Sequence, residues 1–334
     1  MLEKRKTSAL KNAITILVSI AIAGIFLWLA LRGLDLDKIE QSLKKANYIW
    51  VGFAAVFGIS AYIFRAVRWN LLLEPMGHTI STSNSLWSIS FGYLMNLTIP
   101  RSGELARSTA LYGVEKVPVD KSFGTIILER VIDLVCMLIF LGLTLIFKFE
   151  AIYSFYEKSG VKFNPFFIIG IIVGIISSFV VFIKFKERFR KFALLSKIID
   201  FIDGIIAGLT SVFKLRQKVK FIVLTAGIWI CYFFASYLVC FSLPETSDFT
   251  LADGCFILVV GTLGMIIPAS GGIGAFNLAM KFGFTALFIS MGKDAIEGGE
   301  LGLAYSFITL PLQIIIMLVM GLISIPMLAK NRKI

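Results

Sequence analysis

Residues Asn96 to Arg107 read N-L-T-I-P-R-S-G-E-L-A-R and lie within otherwise apolar helical sequence. Two arginines, a glutamate, a proline and a glycine in such a place restrict what the chain can become. Charges at membrane depth are costly and normally face a cavity or a substrate path. The proline and glycine interrupt the helix and free backbone groups that only protein or water can satisfy. At Ile267 to Ala275 the chain reads I-P-A-S-G-G-I-G-A, which repeats the I-P-x-S-G core 168 residues further on.

A membrane setting follows from how much apolar surface there is to cover. Of 334 residues, 57% are hydrophobic and 16% charged, with a mean hydropathy of +0.87. A soluble chain of this length could not hide that surface, so the class is an all-α polytopic membrane protein. No alternating ten-residue segments point to a barrel. The Lys/Arg-rich N-terminus leads into about twenty apolar residues without a small-residue cleavage site, which reads as a retained first span. Cys136, Cys231, Cys240 and Cys255 form no C-x-x-C pair, and His78 is the sole histidine. Neither a disulfide framework nor a metal site is indicated. No G-x-x-x-x-G-K-[ST] run occurs, so no nucleotide or other cofactor is expected. The net charge of +12 fits a cytosolic membrane face, and nucleic acid is not an expected partner.

The expected organisation is a single transmembrane domain, 1–334. Spans are predicted at about 12–31, 48–68, 124–147, 164–184, 220–243 and 302–326. An amphipathic linker separates the first two. Broken segments cover 85–112 and 252–290, and a basic interfacial stretch covers 185–219. Repeat 1 is then about 12–147 and repeat 2 about 164–326. If both broken segments dip in and return, 21 Lys/Arg lie on the cytosolic side and 9 outside. Full crossings would divide them 12 inside and 18 outside, against the positive-inside bias. Six full spans plus two re-entrant broken helices are therefore expected, with both termini cytoplasmic. Three crossings per repeat make the repeats inverted, an arrangement that places binding at their interface.

The candidate site takes its charges from the first half. Arg101, Arg107 and Arg130 match Glu104, Glu129 and Asp133 in number. Glu104 and Arg107 are spaced i,i+3, and Glu129 and Asp133 i,i+4, so each pair shares a helix face. Carboxylates that steady the guanidinium groups would leave the arginine forks for a phosphate, with Asn96 beside them. The alternative is a closed ion network that only locks the loop. Pro100 and Gly103 are the backbone breakers of the first segment. Pro268, Ser270, Gly271, Gly272 and Gly274 play that part in the second, as a hinge, a close approach to a headgroup or simply tight packing. Asn277 and Lys281 would line the second segment. Arg65 and Arg68, at the end of span two, are expected to snorkel to the interface or to gather anionic headgroups. Asp35 and Asp37 in the first external linker allow a rival reading as acids of a lipid-linked transferase, although helix capping explains them more simply.

Three motifs, R-x-x-R-W (Arg65, Arg68, Trp69), P-R-S-G-E-x-x-R (Pro100 to Arg107) and E-R-x-x-D (Glu129, Arg130, Asp133), together with P-x-S-G-G-x-G later on, resemble the lysylphosphatidylglycerol synthase transmembrane-region, or flippase-like, family. The resemblance covers nearly the whole chain. It implies a prokaryotic cytoplasmic-membrane domain that moves an anionic phospholipid or a polyprenyl-phosphate-linked lipid between leaflets. Membrane lipids are then the partners, along with a separate lipid-modifying or glycan-synthesis enzyme. It also places Arg101, Glu104, Arg107, Glu129, Arg130 and Asp133 on the family's charged motif positions. Asn277 stands where the family often has a glutamate, and Ser306 where an arginine is common. The chain stops at Ile334 without a soluble synthase-like domain, so aminoacyl transfer by this chain is not expected. A non-transporting accessory subunit and an intramembrane transferase remain the alternatives.

Overall fold

The computed structural model describes residues 35–99, 101–153, 215–266 and 272–332, together with 25, 27–29, 31 and 32. The predicted span at 164–184, most of the one at 12–31 and most of the basic interfacial stretch at 185–219 lie outside the described residues, as do Pro100, Pro268, Ser270 and Gly271. Among the described residues every regular element is helical. They are α1 (Leu36–Lys45), α2 (Tyr48–Leu73), α3 (Thr82–Thr98), α4 (Gly103–Glu115), α5 (Val119–Phe147), α6 (Lys218–Cys240), α7 (Leu251–Gly264), α8 (Ala275–Ser290) and α9 (Ala295–Lys330).

Four of these helices are long and apolar enough to cross a membrane, namely α2 with its 3-10 extension to Met76, α5, α6 and α9. Their outward faces carry large apolar side chains such as Phe53, Ile139, Ile146, Ile222 and Leu322, as lipid contact requires. At 1.5 Å per residue, α4, α7 and α8 reach only about 20–24 Å, short of the ~30 Å hydrocarbon core. The two halves share one order: a long helix, a pair of shorter helices separated by a break, then a long helix.

Each broken pair folds back on itself. Glu115 at the end of α4 accepts hydrogen bonds from Asn84 Nδ2 (2.7 Å) and the Ser81 amide (3.3 Å) at the start of α3. The rings of Phe284 and Phe288, late in α8, lie 5.6 and 6.3 Å from Phe249, just before α7. The two hairpins begin at opposite ends of α9. Asn331, its C-cap, donates to Asn84 of α3 (2.8 Å), whereas Lys293, just before α9, pairs with Asp248 ahead of α7 (3.2 Å). The core divides similarly. Trp69, Leu73, Ile89, Leu111 and Ile126 form a cluster in the first half, and a larger aromatic-rich one joins α6 to α9.

Several local expectations can be checked here. Asp35 caps α1 and accepts from the Asp37 amide (3.0 Å), the simpler of its two sequence readings. The last helix begins earlier than 302, at Ala295 behind the Asp294 cap, and Gly298 and Gly302 let its first turns pack closely on α8. The helix runs on through Pro311 and Pro326. Asp253 closes a capping box with Thr250 at the start of α7, and the same carboxylate holds Lys148 at 2.6 Å from the end of α5. Replacing Asp253 with Ala removes a cap and strands a half-buried ammonium at once. The expected loss is about 3 kcal/mol or more, read as a lowered melting temperature of the detergent-solubilised protein.

Candidate functional site

The first break is formed by local chemistry. Ile99 ends α3 in an extended conformation, and Arg101 adopts a left-handed φ of 62°, which costs a non-glycine residue free energy. Asn96 Oδ1 accepts the amide of Gly103, the first residue of α4, at 2.7 Å. Ser102 Oγ donates to the freed carbonyls of Met95 and Ile99 at 3.1 and 2.8 Å. The hairpin can close this tightly only with glycine at two facing positions. A Cβ on Gly103 would stand 2.5 Å from the Gly92 carbonyl oxygen and the Asn96 amide nitrogen, and one on Gly92 2.7 Å from Gly103 O.

Behind this hairpin α2 and α5 share a buried ion network. Asp133 accepts from Arg65 Nη2 (2.8 Å) and Arg68 Nη2 (3.0 Å). One turn earlier, Glu129 holds Arg107 Nη1 of α4 at 2.7 Å and approaches Arg68 at 3.6 Å. Arg65 also donates to Tyr93 Oη of α3 (2.7 Å), and Arg68 to Thr225 Oγ1 of α6 (3.4 Å). Arg65, Arg68, Arg107 and Glu129 are all at most 4% exposed.

Arg65 and Arg68 thus correct the expectation that they snorkel to the interface. Helix α2 continues past them to Leu73, and two carboxylates at i,i+4 on α5 hold them inward. The pairing also runs between helices rather than within them. Glu104 meets Arg130 of α5 at 3.7 Å, at the half-exposed rim, while Arg107 meets Glu129.

Arg107 is held flat. Its guanidinium lies 3.6 Å from the ring centroid of Trp69, a contact worth about 0.5–2 kcal/mol. Trp69 is fixed in turn by Nε1–H donated to Thr125 Oγ1 (2.8 Å). Arg107 Nε and Nη2 are buried without a hydrogen-bond partner. Arg107 also lines a cleft, together with Ile89, Gly92, Tyr93, Asn96, Gly103, Glu104 and Arg130. The α3 contribution is a stripe at i, i+3, i+4 and i+7, a single helix face.

Two sequence candidates lie elsewhere. Arg101 is exposed and directs Nη2 at the carbonyl of Ile266, at the edge of the second break (3.5 Å), so it bridges the breaks and does not line the cleft. Asn277 is 1% exposed and uses both ends of its amide: Oδ1 accepts the Gly274 amide (2.9 Å), and Nδ2 donates to Ser306 Oγ (2.7 Å). Gly272 and Gly274 have φ of 77° and 81° and turn the chain there. Lys281 donates to the Arg32 carbonyl (2.9 Å).

Sequence reasoning overlooked Tyr93, Trp69 and Thr225 as parts of the site. Tyr93 precedes Asn96 by three residues and so shares its face, a signal available in advance. Among the described residues no three His, Cys, Asp or Glu side chains gather as metal ligands.

Breaking the network at one carboxylate separates structural from superficial charges. Asp133→Asn leaves two buried guanidinium groups short of a counter-ion and is expected to cost about 3–5 kcal/mol. Arg101→Ala, at an exposed position, should stay within about 0.5 kcal/mol. Thermal unfolding of both variants in detergent checks the contrast.

The UPF0104 membrane protein MJ1595 of Methanocaldococcus jannaschii is 25% identical over 126 residues, which is 37% of this chain and 38% of that protein's length. No solved structure matches the chain. The lysylphosphatidylglycerol synthase TM region family matches residues 16–325, nearly the whole length, so the chain belongs to that family of lipid-related membrane proteins.

Proposed function

We propose that the protein is a flippase-like lipid translocase that binds an anionic headgroup in the cleft between α3, α4 and α5. The observation that carries this reading is Arg107. Its guanidinium is buried, Nη1 is held by Glu129, Nε and Nη2 have no hydrogen-bond partner, and the residue lines the cleft. A planar guanidinium with donors to spare matches phosphate oxygens in number and geometry. Arg130 at the rim and Asn96 beside the break complete the set. Arg107, already stacked on Trp69, loses little further freedom on binding.

The architecture supports the same reading. Two hairpins that start at opposite ends of α9, in halves with one element order, are what an inverted repeat with two re-entrant segments would produce. Arg101 reaching Ile266 fits tips that meet near the midplane. A headgroup would dock at the cleft with its acyl chains in lipid, and the halves would rock to present it to the other leaflet. In this scheme the chain sits in the cytoplasmic membrane with both termini inside. It needs no cofactor and works alongside a separate lipid-modifying or glycan-synthesis enzyme.

Reconstituted vesicles with a fluorescent phosphatidylglycerol test the function. Arg107→Gln should lower translocation at least about tenfold, one decade being the rate equivalent of 1.4 kcal/mol, while Asp35→Asn should match the native rate. Equal rates for native protein and Arg107→Gln would refute the headgroup role. Loss on Asp35→Asn alone would favour the lipid-linked transferase. Topology is testable in intact cells with single cysteines in a cysteine-free background. Lys45→Cys should react with an impermeant maleimide from outside and Lys121→Cys only after permeabilisation; labelling of Lys121→Cys in intact cells would overturn the inverted arrangement.

A further inference from the structure

We infer that Glu104 sets the charge selectivity of the cleft, admitting one singly charged phosphodiester and disfavouring doubly charged phosphomonoesters. This rests on the headgroup-binding reading above. Among the described residues, the buried network holds three cations, Arg65, Arg68 and Arg107, against two carboxylates, Glu129 and Asp133. One positive charge is therefore uncompensated, and Arg107, whose Nε and Nη2 lack hydrogen-bond partners, is the member of this network that lines the cleft.

A fourth cation, Arg130, lines the same cleft. Left free, it would raise the local excess to two and suit a dianion. Glu104 prevents this: its Oε1 stands 3.7 Å from Arg130 Nε, with side chains 31% and 47% exposed, respectively. The carboxylate also lines the cleft, where it repels the second charge of an incoming dianion. Arg101 adds nothing to the count, since it lies outside the cleft lining and is turned toward Ile266. The site is thus balanced by a single negative charge, and beside the buried Arg107 guanidinium such balance governs which ligand is retained.

The test uses the full chain in phosphatidylcholine nanodiscs at a pH of about 9, well above the second phosphate ionisation near 6. Native mass spectrometry then compares retention of phosphatidylglycerol, a diester, with phosphatidic acid, a monoester. The native protein should prefer the diester at least about tenfold, a modest effect for one unpaired charge at partly buried distances. Glu104→Gln, at a half-exposed rim position, should bring the two lipids to parity or reverse the preference. Arg130→Gln should weaken both, and the Glu104→Gln/Arg130→Gln pair, which restores the single excess charge, should regain the diester preference. Loss of packing alone would not be rescued by the second change.

A native preference for phosphatidic acid, or an unchanged preference in Glu104→Gln, overturns the role of Glu104 while leaving an anion site in place. Retention of neither anionic lipid above the phosphatidylcholine background overturns the headgroup reading and this inference together.

Discussion

Five ionised side chains buried between α2, α4 and α5 hold the first half of the molecule in register. Isolated, any one of them would be intolerable at membrane depth. Together they form a chain, Arg65 to Asp133 to Arg68 to Glu129 to Arg107, in which each carboxylate serves two arginines. Such a cluster adds less net stability than a well-packed apolar core would. What it does supply is position. The hairpin of α3 and α4 is polar and short, so apolar packing alone would leave its depth poorly defined. Arg107 on α4 and Tyr93 on α3 tie it to the long helices at two points.

That dependence explains why donors are left over, Nε of Arg65 and Arg68 and both Nε and Nη2 of Arg107. Glu129 and Asp133 are one turn apart on α5, so together they can hold three guanidinium groups but cannot neutralise them. Trp69 takes the face of Arg107 and Glu129 holds its Nη1, while the residue itself lines the cleft. Structural lock and candidate binding group are the same residue, so the two readings of the charged run were never exclusive.

How much of this the sequence disclosed depended on the range of each interaction. The breaks at Ile99 and Ile267, and the shared face of Glu129 and Asp133, are local patterns and could be read directly. Partner choice could not. Glu104 and Arg107 sit i,i+3 and invite an intrahelical pair, yet α5 offers each a better-placed opposite charge. Arg65 and Arg68 looked like interfacial residues because the apolar run weakens there, whereas the helix continues for another turn or more and packs them inward. Thr225 carries no sequence signal at all, since its role comes from the packing of α6 on α2. In the second half, the amide of Asn277 donates to the hydroxyl of Ser306.

Helix α9 has a further consequence. Its 36 residues amount to about 54 Å, more than the ~40–45 Å of a bilayer with its headgroups, so it must lean or project. Both ends are moored: Glu300 takes Lys38 and the Asp35 amide of the surface helix α1, and Asn331 takes Asn84 of α3. A change in bilayer thickness alters the lean of such a rod. The Asn84 mooring ties that rod to α3, whose face forms one wall of the cleft, so a change of lean would bear on that wall.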